Sequence, residues 1–293
     1  MGKHTTFTAP RWDQYALLDS GRRRKLEQFG SYRLVRPEPR AVWRPALLEG
    51  EWEKAQAEFV PHETGGGGEW VFREEIEPKW ELDYQGLRFW CQLDVSKQVG
   101  VFPENAIHWD WIEAIIRNSG RPIRVLNLFG YTGLASLAAA RASAEVTHVD
   151  SSQRAVRLGR ENQALNGLED RPLRWIVEDA LKYARREVKR GSRYEGLILD
   201  PPKYGLGPKK ERWEFFKSFG ALCEVLREVL SDTPLFLVVT AYALERPPEV
   251  LVPYLESMMK GFAGSLEFGE LVSMEVSAGR KISQAITARW EAS

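Results

Sequence analysis

Four runs of apolar residues each stop at side chains that can hold a small polar ligand. The clearest is LDPPKYG, residues 199 to 205. Asp200 closes the run Gly196-Leu197-Ile198-Leu199, and Pro201 and Pro202 then lock the backbone. A carboxylate on a rigid segment without backbone donors can hold a reacting atom in place. Lys203 follows, Tyr204 offers a flat face, and Gly205 and Gly207 let the next loop bend. Upstream, Asn127-Leu128-Phe129-Gly130-Tyr131-Thr132-Gly133 reads as a strand followed by a tight turn. Its glycines permit a ligand to approach the backbone. The turn is neither the dinucleotide GxGxxG nor a phosphate loop ending in Gly-Lys-Ser/Thr, and a plain structural turn fits it as well. Asp150 can accept hydrogen bonds from both hydroxyls of a ribose, or with Ser151 and Ser152 start the next helix; the roles are compatible. In Glu178-Asp179-Ala180, Asp179 can accept from an exocyclic amine and Ala180 leaves room for a ring, with a helix N-cap as the alternative. Each feature alone is weak. Their recurrence at four successive strand ends points to one site.

The elements that must position these residues begin near residue 104. Helical spacing covers Asn105–Asn118. Strands are expected at 124–129, 145–149, 173–177, 194–199 and 235–239, alternating with helices at 133–142, 153–166, 180–190, 210–230 and 248–260. A final pair of strands, 271–276 and 285–290, flanks Gly279. Strands alternating with helices imply βαβ units, right-handed crossovers and ligand binding at the carboxyl ends of the strands. Residues 1–100 read differently. Short apolar pieces alternate with turn residues, Glu51–Phe59 suits one short helix, and Gly65–Gly68 reads as a flexible loop. The fold expected is α/β: a Rossmann-like, mostly parallel sheet with an antiparallel C-terminal strand over 101–293, plus a small β-rich domain over 1–100 with a possible part in substrate recognition.

The 293 residues have 43% hydrophobic and 28% charged content, ordinary for a globular chain. No apolar stretch reaches the ~20 residues of a membrane span, and no secretory leader is visible at the start. Two cysteines, Cys91 and Cys223, make neither a disulfide framework nor a zinc site, so no metal and a cytoplasmic setting are expected. Net charge is zero but unevenly spread: 10 Lys/Arg against 4 Asp/Glu over 1–45, then 5 against 15 over 46–115. The basic head (Arg22-Arg23-Arg24-Lys25, Arg33, Arg36, Arg40, Arg44) suits either phosphates or solvent. Arg280-Lys281 poses the same choice, and His108 reads as a surface or capping residue.

The segments LNLFGYTG, HVDSS, ENQALNGL, EDA and LDPPKYG resemble motifs of class I S-adenosylmethionine-dependent methyltransferases. More narrowly they resemble the large-subunit ribosomal RNA methyltransferase I/K group, across about residues 95 to 290. Gly100-Val101-Phe102-Pro103-Glu104-Asn105 resembles that group's Gly-x-Phe-x-Asp-Gln, with Glu-Asn in place of Asp-Gln. The RNA-binding PUA module of some relatives is not recognisable. The resemblance implies S-adenosyl-L-methionine as cofactor. Phe129, Gly130, Tyr131 and Gly133 would wrap its methionine part, Asp150 its ribose, and Asp179 and Ala180 its adenine, with Asn127, Thr132, Ser151 and Asp200 in the same cofactor-binding set. Asp200, Pro201, Pro202, Lys203 and Tyr204 would face the methyl group and the target.

Methylation at C5 of cytosine needs a cysteine thiolate, because that carbon is not nucleophilic until a thiolate adds to the ring. Relatives place that cysteine just after the fifth strand, where this chain has Val238-Val239-Thr240-Ala241-Tyr242-Ala243. Cys223 and Cys91 read as core residues, as does Trp111; Trp109 and Tyr242 are possible stacking surfaces. The expectation is methylation of a nucleobase nitrogen, with ribosomal RNA as partner. A small-molecule or protein target, or a non-catalytic cofactor-binding module, stands as the alternative.

Overall fold

A computed structural model of the chain describes residues 2–63 and 67–293. Gly65 and Gly66 of the expected glycine loop lie outside the described residues. Two compact units emerge: residues 1–7, 107–271 and 284–293 form one, and 8–106 with 272–283 form the other. The sequence reading draws a single cut after residue 100. The structure instead assigns a hairpin tip near the C-terminus to the second unit and the first residues of the chain to the first.

The first unit is built on a sheet whose main strands are β1 (Arg124–Leu128), β2 (Glu145–Asp150), β3 (Leu173–Val177), β4 (Gly196–Leu199), β5 (Phe236–Tyr242), β6 (Gly264–Met274) and β7 (Lys281–Ala292). Their order is β6-β7-β5-β4-β1-β2-β3, with Lys3–His4 added parallel to β6. The five strands β5-β4-β1-β2-β3 run parallel, and β7 joins β5 antiparallel. The order reverses between β1 and β4, which opens a crevice at their carboxyl ends. Helices α1 (Ala106–Asn118), α2 (Leu134–Arg141), α3 (Gln153–Leu165), α4 (Ala180–Arg190), α5 (Phe215–Val229) and α6 (Val252–Met259) make or flank the crossovers. The central strands are mostly apolar because helices cover both faces, with Asn127, Thr147 and His148 among the buried polar exceptions. Leu126, Leu128, Leu197 and Leu199 pack with Phe215, Phe219 and Leu222 of α5, whereas Val125 and Ile198 meet Ile112 and Ile116 of α1.

Two expectations for this unit need correction. The helix expected over 210–230 starts only at Phe215. Before it a hairpin pairs Tyr204–Leu206 with Arg212–Glu214, because Lys210 takes φ +64° and the Glu211 carboxylate accepts the Lys209 N–H at 2.8 Å, closing a turn. His108 is not on the surface. It is 3% exposed, with Nε2 3.0 Å from Thr287 Oγ1 and Nδ1 accepting from Arg289 Nε at 2.8 Å. Burial holds it far below its usual pKa, so it is neutral. The Arg289 guanidinium lies between the rings of Phe7 and Trp111, at 5.0 and 4.8 Å. Trp109 is buried and Trp111 packs on Phe236, so both belong to the core.

The second unit holds a five-stranded sheet in the order Tyr15–Gly21, Arg24–Phe29, Tyr32–Pro37, Ala57–Pro61, Gly68–Phe72. A separate hairpin pairs Trp80–Tyr84 with Leu87–Cys91. The helix expected over 51–59 is cut to Glu49–Trp52. Ala57 and Glu58 pair with Leu34 and Val35 instead, so strand pairing overrides local helix preference.

The basic head is largely neutralised within this unit. Arg22 pairs with Glu49, Arg24 with Glu58, Arg33 with Glu51, and Arg40 donates to the Ser283 carbonyl. Arg36 grips buried Glu27 through two bonds of 2.6 and 2.8 Å. Burial alone would raise the Glu27 pKa, but Arg36 and Lys25 hold it down at about 2. Arg280 likewise turns inward, to Glu275 and the Ser20 carbonyl. Asp19, fully buried, accepts from Ser277, Leu47, Ala46 and Trp52; burial would raise its pKa, but these four bonds hold it below the usual range.

Candidate active site at the strand ends

Register places the key residues on one rim. Leu128 of β1 lies beside Val149 of β2 and Leu199 of β4, so Phe129, Asp150 and Asp200 leave the sheet at the same level. Asp150 aligns with Val177, which puts Glu178 and Asp179 next along that rim. A narrow cleft opens there, with a cavity volume of only about 30 Å³, well below the usual small-ligand site. Of the residues expected from sequence, Phe129, Asp150, Ser151, Asp179, Ala180 and Pro202 line it.

The turn after β1 is strained by design. Phe129 and Tyr131 hold φ of +59° and +52°, rare for large side chains, and Gly133 holds +84°. Asp150 sustains this shape: one oxygen accepts the Tyr131 N–H at 2.8 Å and the other the Ser152 N–H at 2.7 Å. Burial nonetheless raises the Asp150 pKa above its usual value, against those two bonds. Beneath the turn lie His148 and Trp175, their rings 4.4 Å apart. A Cβ on Gly130 would fall 2.4 Å from His148, and one on Gly133 2.4 Å from Trp175. The glycines are therefore required by packing from below. Burial pushes His148 down to about 3, so the ring is neutral.

Some expected ligands point elsewhere. The Asn127 amide, 1% exposed, donates to Ser136 Oγ at 2.8 Å, and Ser136 in turn lies 3.0 Å from His148 Nδ1. Asn127 thus braces the turn from inside. Thr132 is 2% exposed and its carbonyl accepts from Asn162. Gly130, Tyr131 and Gly133 shape the turn without lining the cleft. Asp179 spends one oxygen capping α4 through the Lys182 N–H at 2.8 Å, while Ser152, not Asp150, caps α3.

The segment after β4 is tied down at several points. The Asp200 N–H donates to the Leu128 carbonyl at 3.2 Å, and Pro201 is buried. The Pro202 carbonyl accepts from Trp213 Nε1 at 2.7 Å, and the Lys203 carbonyl from the Phe215 N–H at 3.0 Å. Trp213 also lays its ring 4.8 Å from that of Phe129. It joins the two loops that bound the cleft, yet the helix expected over 210–230 concealed it. The usable signal was Gly-Pro followed by polar–apolar–polar alternation at Arg212-Trp213-Glu214. On the hairpin's first strand Tyr204 and Leu206 are each 65% exposed, and Leu206 also lines the rim of the cleft. Trp213→Phe keeps most of the packing but loses the bond to Pro202. It is expected to cost about 1 kcal/mol of stability and, by loosening the Pro-Pro segment, to slow turnover about tenfold. Thermal melting and single-turnover rates would check both, and an unchanged rate would remove Trp213 from loop positioning.

The donor set favours a particular ligand. Asp150, Glu178 and Asp179 supply carboxylates, Phe129 and Trp213 supply ring faces, and none of the residues lining the cleft is Lys or Arg. Burial would raise the Glu178 pKa, but the Asp179 N–H, with Lys182 and Arg186, holds it below its usual value. Such a site suits hydroxyl donors, amines and a cation, and disfavours phosphates. S-adenosylmethionine, a nucleoside bearing a sulfonium and no phosphate, fits these residues.

Comparison with known proteins agrees with the geometry. A sequence profile of the S-adenosylmethionine-dependent methyltransferase family matches residues 46–252. A crystal structure of an S-adenosylmethionine-dependent methyltransferase from Agrobacterium tumefaciens superposes with a TM-score of 0.95 at 40% identity, over 100% of this chain and 96% of that one. "Ribosomal RNA large subunit methyltransferase I" of Aeromonas salmonicida is 40% identical over 82 residues, 28% of this chain and 21% of that protein. "Ribosomal RNA large subunit methyltransferase K/L" of Methylococcus capsulatus is 34% identical over 120 residues, 41% and 16% respectively. The chain thus spans about a fifth of the length of these curated relatives. Among the described residues no helix is long and apolar enough to cross a membrane.

Proposed function

The chain belongs to the S-adenosylmethionine-dependent methyltransferase family, and on that premise we propose that it methylates a nucleobase nitrogen in ribosomal RNA. The observation that carries this reading is the shared rim: Phe129, Asp150, Asp179 and Pro202 around one acidic, aromatic cleft, with Asp200 on the adjoining loop. Bound there, the cofactor would supply an electrophilic methyl group on a sulfonium. Asp150 holds the ribose hydroxyls with the lone pairs left over from Tyr131 and Ser152. The free oxygen of Asp179 accepts from the adenine amine, and Ala180 leaves the ring its space. Asp200 accepts an N–H of the target base, aiming the nitrogen lone pair and receiving a proton where one is released. Tyr204 stacks on the base. A base must leave its helix to reach such a site.

The nitrogen target follows from the thiols. Cys91 and Cys223 are buried, and burial raises both pKa values, that of Cys223 to about 12. Neither offers a thiolate for attack on a pyrimidine carbon. The ribosomal RNA target rests on the names of the partial relatives. A protein or small-molecule target was suggested by the acidic belt, but Glu49, Glu51 and Glu58 of that belt pair with the basic head of the same unit.

Incubation with methyl-labelled cofactor and unmodified large-subunit ribosomal RNA should label RNA, with the product read by nucleoside mass spectrometry. A Cys91→Ala/Cys223→Ala double variant should label RNA as well as the parent does. Label confined to protein or metabolites, or appearing as 5-methylcytosine, would overturn the reading.

A further inference from the structure

Most of the basic head is internally paired, although Arg23 and Arg44 of the second unit are exposed and, among the described residues, have no ion-pair partner; the first unit carries its own free cations. Helix α4 carries Lys182, Arg185, Arg186 and Lys189 at i, i+3, i+4 and i+7, a spacing that puts them on one face. Arg212, on the second strand of the hairpin, faces them across a groove. Glu178 and Glu211 balance Lys182, and Glu178 also balances Arg186. Arg185, Lys189 and Arg212 are exposed and, among the described residues, have no ion-pair partner. Cations in the last turn of a helix also complement its dipole, which accounts for Lys189 but not for Arg185 in mid-helix or Arg212 on a strand. Asp179 and Trp213 line both this groove and the cofactor cleft, so the one leads into the other. The hairpin that walls the groove also presents Tyr204 and Leu206 outward.

We propose that the groove between α4 and the Tyr204–Glu214 hairpin is a track for the sugar–phosphate backbone of a single-stranded RNA segment, which delivers its base to the cleft. The proposal rests on the RNA reading above. Free guanidinium and ammonium groups neutralise phosphates along the strand, while exposed Tyr204 and Leu206 offer a base an apolar face; charged groove plus stacking platform is how single strands are held. The cleft itself, lined by three carboxylates and no cation, would repel phosphates. Backbone and base are thereby sorted to different surfaces.

The test is binding of a fluorescein-labelled oligouridine across a salt series, with the parent protein and the Arg185→Ala/Lys189→Ala/Arg212→Ala variant. Each phosphate contact on a single strand adds about 0.7 to the slope of log affinity against log salt, so losing three should flatten it by about 2. Affinity at low salt should fall at least about tenfold, while calorimetric affinity for S-adenosylhomocysteine stays unchanged. An Arg185→Lys/Arg212→Lys variant should keep the parental slope. A triple variant that binds the oligomer like the parent overturns the track and leaves the RNA substrate standing. A parent that neither binds nor labels RNA removes the substrate reading and the track together. Equal competition by polyglutamate would replace RNA with an acidic protein as the occupant.

Discussion

Asp200→Ala is expected to slow methyl transfer about a thousandfold, roughly 4 kcal/mol of lost transition-state stabilisation, while cofactor affinity changes less than about threefold. The asymmetry follows from where the residue sits. Its N–H is bound to the Leu128 carbonyl at the junction of β1 and β4, and the residues after it are fastened through buried Pro201, Trp213 and Phe215. A carboxylate carried on backbone held this firmly needs little reorganisation when it aims a nitrogen lone pair at the sulfonium. Removing it leaves the cleft that receives the cofactor intact, because Phe129, Asp150 and Asp179 line that space without it. Asp200→Asn keeps one acceptor and should retain part of the rate. Single-turnover kinetics with saturating cofactor provide the measurement. A parental rate in the alanine variant would take Asp200 out of the mechanism.

Asp150→Ala should raise the dissociation constant for S-adenosylhomocysteine about a hundredfold. Two effects combine: the ribose loses a charged acceptor, worth ~1.5–3 kcal/mol, and the turn loses the anchor that holds Tyr131 at φ +52°. Asp150→Asn can still accept from one backbone N–H and should fall between. The same residue gives cofactor binding a pH dependence. Burial raises the Asp150 pKa in the free protein, so its carboxyl protonates at a higher pH than an exposed aspartate. Ribose hydroxyls and a sulfonium favour the ionised form, so binding lowers that pKa. Affinity should therefore be constant well above the free-protein pKa and fall as pH drops through it, with a limiting slope of about tenfold per unit for one proton. In the Asn variant the fall should disappear. Calorimetry at successively lower pH would decide, and an equal fall in both proteins would assign the titration to another group.

The parts of the site that could be read directly are those where chemistry demands a residue type locally. Asp150 and Asp200 at strand ends, the prolines after Asp200 and the alternation of strands and helices each leave a mark within a few residues, and the structure places them on one rim. Gly130 and Gly133 were legible as special positions, but one reason for them was not. Their side-chain space is taken by His148 and Trp175, which come from β2 and β3. Asn127 carries the right type for a ligand at the right position, yet its direction was set by Ser136 on α2. Trp213 was lost because a helix preference concealed a three-residue strand whose partner begins at Tyr204.

By itself, then, the sequence determined the fold class, the cofactor family and the lack of a cysteine at the end of β5, since period, turn chemistry and residue identity act over short stretches. Tertiary structure decided which charges remain available. Arg22 and Arg24 meet acids 27 and 34 residues away, and Arg40 meets a carbonyl 243 residues away, whereas Arg185 and Lys189 on α4 find no ion-pair partner among the described residues. A charge count along the chain therefore does not tell which cations stay available, because neutralisation depends on which distant carboxylates folding brings within about 4 Å.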